Sequence, residues 1–226
     1  TDAQGNPRWH PLRDGNPLLT RDPRLASITF ADAGWCRPYI DYAASTPDRW
    51  AFRMDHEPTL GHIASVAPRP DLLGRGHVVI EPTLKPRASP NKQWGRANWQ
   101  ALVDRLSHVD WVQVGPRPVD VLDGVRFIET PTWREAFAVL AAARAAVLPE
   151  GGLHHASAAL RIPAVVLFGG FMPPSVTGYL SHTNVAVDLP EAVGWRIPHP
   201  ACAHAWRSIS VDLVADAVSA MLGPPY

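Results

Sequence analysis

LPEGGLHHASAALRIPAVVLFGG, residues 148–170, joins the end of one apolar run to the start of another through an Ala-rich segment. The flanking runs, AAVLP (145–149) and AVVLF (164–168), are too short for helices and read as strands buried on both faces. GGLHHASAAL (151–160) between them reads as a helix, so the unit is strand, helix, strand, the repeat from which parallel sheets are built. Gly151 and Gly152 at the helix start leave backbone N–H groups without an intrahelical partner and put no side chain in the way of an approaching anion. His155 falls in the first turn and can donate to the same anion, whereas His154, about 100° round the helix, points elsewhere. A Gly-Gly pair also serves as a plain strand-to-helix turn, so these residues alone leave anion binding, metal ligation and simple packing open.

Working outward, the same alternation continues on both sides. HVVIEP (77–82), WVQVG (111–115) and RFIE (126–129) read as strands, and RANWQALVDRLS (96–107) carries apolar residues at helical spacing. TWREAFAVLAAARA (132–145) reads as a helix with Thr132 at its N-cap and Glu135 completing a capping box. NVAV (184–187) is expected at a sheet edge, FGGFMPPSVTGY (168–179) as a shaped loop, and SVDLVADAVSAML (210–222) as an amphipathic helix capped by Ser210. Residues 71–226 are therefore expected to form an α/β domain, a Rossmann-like parallel sheet with helices on both faces. Residues 1–70 are dense in Pro, Gly, Asp and Arg and rich in aromatics, and read as a short irregular segment packed on that domain.

Composition excludes several classes. With 21 basic and 21 acidic residues the chain lacks the positive charge by which nucleic acid is held, so no nucleic-acid partner is expected. No apolar run approaches the roughly 20 residues that span a bilayer, so no transmembrane segment is expected, and the chain reads as cytoplasmic. It begins at Thr1 rather than at a methionine, the form expected of a trimmed or processed product. Two cysteines are too few for a disulfide scaffold. His199, Cys202 and His204 lie close in sequence, and Cys36 would make a fourth zinc ligand, but the spacing matches no standard zinc pattern; loop histidines and a buried thiol are the simpler reading.

Ligands of an open parallel sheet bind at the carboxyl ends of its strands. At that edge the loop after the first strand, TLKPRASPNKQWGRANW (83–99), holds Thr83, Lys85, Lys92 and Trp94, and a lysine there can neutralise a phosphate. Taken in order, PNKQWGRANWQALVDRL, FIETPTWREAFAVLAAARAAVLPEGGLHHASAALRIPAVVLFGG and PPSVTGY resemble the nucleotide-sugar-binding half of glycosyltransferase family 9, the heptosyltransferase family, over residues 77–188. The resemblance implies the C-terminal domain of a GT-B architecture. It implies transfer of a heptose or related sugar from a nucleotide diphosphate, ADP favoured, to a glycan or lipid-linked glycan acceptor in lipopolysaccharide biosynthesis, without a cofactor or metal. It also implies a setting in the cytoplasm or peripheral to the inner membrane. Carried onto this sequence, Lys92 contacts the diphosphate, Glu150 a sugar or ribose hydroxyl, and Gly151, Gly152 and His155 the phosphates; Thr83 and Thr130 are matched as further binding residues. Glu150 stands where the family carries Asp, and Gly151 where it carries Thr or Ser. The family's acceptor domain has no counterpart in the short segment 1–70, so a missing N-terminal domain or a partner subunit is expected, and no catalytic residue is assigned. A catalytic carboxylate on the acceptor side would come from Asp14, Asp32, Asp41 or Asp55, with Asp41 favoured by its aromatic neighbours. The alternative is a non-catalytic nucleotide-sugar-binding or regulatory module, or a subunit of a larger GT-B enzyme.

Overall fold

The computed structural model describes residues 66–82, 90–118, 120–187 and 198–223. Among these residues six strands form one all-parallel sheet: β1 (Val78–Ile80), β2 (Trp111–Gly115), β3 (Arg126–Glu129), β4 (Ala145–Pro149), β5 (Ala164–Phe168) and β6 (Thr183–Ala186). Their order is β3-β2-β1-β4-β5-β6. The helices are α1 (Arg96–Arg105), α2 (Trp133–Ala141), α3 (Gly152–Ala159), the single turn α4 (Pro174–Thr177), α5 (Pro200–Ser208) and α6 (Val211–Leu222).

The apolar runs are central strands because both of their faces are covered. Val78 and Ile80 point into one core with Trp99 and Leu102 of α1, Trp206 of α5 and Val214 and Val218 of α6. Val79, one residue out of phase, enters the other core with Phe137 and Leu140 of α2 and Leu153 and Ala156 of α3. This is the period-two alternation of a strand, with a hydrophobic layer on either side. Val66 also packs into the second core, and the Arg69 amide donates to the Ala138 carbonyl, so the described chain is tied down from its first residues. The outer strands differ: β3 is half-buried and ends on exposed Glu129, and in β6 Val185 alone is buried.

The expected capping box is present. Thr132 Oγ1 accepts from the Glu135 amide at 3.3 Å while the Glu135 carboxylate accepts from the Thr132 amide at 2.8 Å. Thr132→Ala is expected to cost about 1 kcal/mol, lowering the thermal midpoint by about 2–4 °C for a domain of this size; circular dichroism on heating checks it. Ser210 caps α6 as expected, accepting from the Leu213 amide.

Two stretches expected as loops are helical. Residues 200–208 form α5, whose inward positions Cys202, Ala205 and Trp206, continued by Ile209, follow a helical spacing of three and four. Pro200 occupies the first turn, where a proline costs no hydrogen bond. Within the 168–179 loop, α4 makes one turn after Pro173.

Candidate functional site

The strand order fixes where a ligand would sit. The chain leaves β1 through α1 toward β2 on one side, and leaves β4 through α3 toward β5 on the other. At the carboxyl ends of β1 and β4 the connections therefore diverge and open a crevice, the switch point of a doubly wound sheet. Glu81 directly follows β1 and Glu150 directly follows β4.

Lys92 enters this crevice from a short 3-10 turn, Pro90–Lys92. Asn91 anchors the turn: it is buried, its side chain accepts from the His199 amide at 2.9 Å, and its carbonyl accepts from Trp206 Nε1 at 2.8 Å. Trp94 is fixed alongside, its Nε1 donating to the Ile209 carbonyl at 2.8 Å. The Lys92 ammonium ion-pairs with the Glu150 carboxylate, donates to the Glu150 carbonyl at 3.4 Å, and sits 4.3 Å from the centre of the Phe171 ring. Both partners are largely shielded, their side chains 17% and 9% exposed. Glu81 Oε2 is buried with no hydrogen-bond partner among the described residues. Burial pushes the Glu81 carboxyl up to about 8, against the opposing pull of Lys92.

The helix start beside this pair is open. A Cβ on Gly151 would meet the Pro149 carbonyl at 3.8 Å and nothing closer among the described residues, so the space over the first turn of α3 is unfilled. Gly152 has a different reason to be glycine: a Cβ there would stand 2.9 Å from Cη2 of Trp133, whose indole lies against the helix start and is 45% exposed. Thr130 is buried directly after β3, two strands from β4's neighbour β1, and its amide donates to the Gly115 carbonyl. Its Oγ1 has no partner among the described residues. Thr83 lies outside the described residues, as do Asp14, Asp32, Asp41 and Asp55.

The adjacent histidines face different surroundings. His155 is exposed, and its Nδ1 shares a 2.9 Å hydrogen bond with the Tyr179 hydroxyl. His154 is fully buried, its ring edge-on to Phe168 and Tyr179 and 5.5 Å from that of His182. Burial, reinforced by His155 and His182, drives the His154 pKa down to about 2, so the ring is neutral packing material. His182 is pushed down to about 4 mainly by burial, and its Nε2 lies 3.3 Å from the Ser157 hydroxyl, which donates to the His154 carbonyl.

The suggested zinc ligands do not converge. His199 Nδ1 caps α5 by accepting from the Ala201 amide, Cys202 is buried with its thiol pushed up by burial, and His204 is exposed. Cys36 lies outside the described residues, and among those described no group of three or more His, Cys, Asp or Glu is arranged to hold a metal ion.

Sequence reasoning passed over Glu81, Phe171 and Tyr179. Glu81 had a readable signal, since a carboxylate directly after a wholly apolar strand is delivered to the ligand edge of the sheet. Phe171 and Tyr179 sit in an irregular loop, and no periodicity announces where their rings go.

No protein-family model matches the chain, and no curated protein matches it. Solved structures do. Heptosyltransferase WaaC of E. coli with ADP superposes with a TM-score of 0.54 at 16% identity, covering 73% of this chain and 51% of that one. TibC from enterotoxigenic E. coli, described as a bacterial iron-containing dodecameric glycosyltransferase, gives 0.54 at 17%, covering 71% and 48%. ADP-heptose lps heptosyltransferase II of E. coli gives 0.50 at 19%, covering 70% and 47%. The chain has the fold of these transferases. At such identities the likeness is one of architecture, the Rossmann-like layer of GT-B glycosyltransferases, and the chain spans about half the length of the structures it matches.

Proposed function

We propose that this chain is the nucleotide-sugar-binding half of a heptosyltransferase-like glycosyltransferase, taking a nucleotide-diphosphate sugar of the ADP type and serving transfer to a glycan or lipid-linked glycan. The observation that carries the reading is the shielded Lys92–Glu150 pair at the switch point, directly before the open Gly151–Gly152 helix start. A lysine ammonium has three donors, so Lys92 can hold Glu150 and still offer an N–H to a phosphate. The amides of the first α3 turn and the positive end of the helix face the same anion, and His155 stands on the first turn beside them. Together these groups would stabilise the charge that grows on the departing diphosphate. Glu150 adds an acceptor for a ribose or sugar hydroxyl. Neighbours whose structures hold ADP or an ADP-heptose analogue support the choice of donor.

In this reading the acceptor hydroxyl is deprotonated by a carboxylate on the acceptor side of the cleft. The protein's own cations fill the place of a metal, so chelation is expected to leave ligand binding unchanged. No helix of the described residues is long and apolar enough to cross a membrane, and the reading places the chain in the cytoplasm or at the inner-membrane surface.

Calorimetric titration with ADP and UDP, each with and without EDTA, tests the reading. Saturable one-site binding of ADP, tighter than UDP and insensitive to EDTA, is expected; absence of binding by both nucleotides would sink it. A sugar-release assay with nucleotide sugars then separates a transferase from a binding module.

A further inference from the structure

Among the described residues, the crevice between β1 and β4 holds the Lys92 ammonium and the carboxyl groups of Glu81 and Glu150. Lys92 is committed to Glu150 through its carboxylate and its carbonyl, while Glu81 keeps a buried oxygen with no hydrogen-bond partner among the described residues. Among the described residues, the charged group acting on Glu81 is Lys92 from the 3-10 turn, whose own partner is Glu150 from the end of β4. On the other flank the end of β2 contributes Gln113, Val114 and Gly115, none charged. From α3, His154 is buried and neutral, and His155 turns toward Tyr179. With Lys92 already paired to Glu150, a second carboxylate with a buried oxygen has little among the described residues to offset its desolvation, and the favoured form is the protonated acid. A neutral carboxyl differs from a carboxylate in one respect that matters here: it is an O–H donor.

We infer that Glu81 is a binding residue of this site that works as a neutral carboxylic acid, donating its O–H to a phosphate oxygen of the bound nucleoside diphosphate. This rests on the function proposed above. No covalent bond changes: the proton stays on Glu81 in the complex, and where free Glu81 is ionised, binding takes up one proton from solvent. The upward push that burial gives this carboxyl, to about 8, puts that crossover in an accessible range.

The test is calorimetric titration of the full chain with ADP from pH 7 to 9.5 in two buffers of different ionisation enthalpy, above the second phosphate ionisation near about 6. Affinity is expected to hold near pH 7 and to fall by up to about tenfold per pH unit above about 8, with proton uptake rising toward one. The Glu81→Gln variant keeps a donor but cannot ionise, so its affinity should be flat across the same pH range. A flat wild-type profile, or a Glu81→Gln profile with the wild-type slope, would overturn the inference.

Unfolding of the ligand-free chain supplies an independent arm. Because the folded Glu81 pKa lies above the unfolded one, the folded chain holds an extra proton between them, and stability falls as pH rises through that window. His77, His154 and His182 are depressed, act in the opposite sense, and do so below about 6.5. From pH 6.5 to 8 the thermal midpoint should therefore decline in the wild type and less in Glu81→Gln. Loss of that difference overturns the neutral Glu81. If the difference is kept but ADP binds at no pH, the function proposed above fails, and the ligand role fails with it.

Discussion

Lys92→Ala is expected to lower stability by about 3 kcal/mol, because one member of a shielded ion pair is removed and the other stays behind. Glu150 is 9% exposed at its side chain, and without the ammonium its carboxylate must rotate toward water or stay without its charge partner. On a domain of this size the thermal midpoint should drop by about 6–12 °C. ADP binding should weaken as well, by about 1–3 kcal/mol, the scale of a lost charge-assisted contact. The double variant Lys92→Ala/Glu150→Gln separates the two effects: with no buried charge left, most of the stability should return while ADP affinity stays low. Differential scanning calorimetry and titration on the three proteins decide it, and a Lys92→Ala midpoint equal to wild type would refute the buried pair.

Gly169→Ala is expected to be at least as damaging, through packing. An added Cβ would lie 1.9 Å from Cε2 of Trp206 and 2.3 Å from its Nε1. That ring is 6% exposed, so it cannot swing into solvent, and its Nε1 supports the Asn91 carbonyl. Overpacking of this kind costs about 1–3 kcal/mol, and an orphaned buried carbonyl about 1–3 kcal/mol more. The loss reaches the site, since Asn91 anchors the turn that carries Lys92. ADP affinity should fall together with stability. Gly151→Ala is the control: open space around its Cβ predicts a change within about 1 kcal/mol. If Gly169→Ala and Gly151→Ala melt together, Trp206 does not rest on Gly169.

This contrast between two glycines marks how far the sequence could be read. Both belong to Gly-Gly pairs after an apolar strand, and nothing local distinguishes the one that admits a helix start to solvent from the one that admits an indole to the core. The strands were legible because burial on both faces writes itself as uninterrupted apolar runs, and the caps at Thr132 and Ser210 because the hydrogen bonds are made within three residues. The parallel layer followed from alternation. The strand order did not, and it is the order that sets Glu81 beside the Lys92–Glu150 pair from residues more than fifty positions apart. Helix α5 was hidden for another reason: Pro198 and His199 before it and Pro200 and His204 within it read as punctuation, although Cys202, Ala205, Trp206 and Ile209 trace an inward stripe. Of the matched binding residues, Lys92, Glu150, Gly151, Gly152 and His155 lie on adjoining elements, Thr130 follows the outer strand β3, and Thr83 lies outside the described residues.

The two outermost strands bear on solubility. A strand with one free flank is a template on which another molecule can add, and long, flat, apolar ones seed aggregates. Here one rim, β3, is four residues long and carries Arg126, held to Asp110 at 2.9 Å, and an exposed Glu129. The other, β6, is equally short and turns Thr183 and Ala186 to water. An incoming strand would have to dehydrate charge on one side and gain a single valine on the other. Among the described residues, both rims of the sheet are thus short and poor in apolar surface.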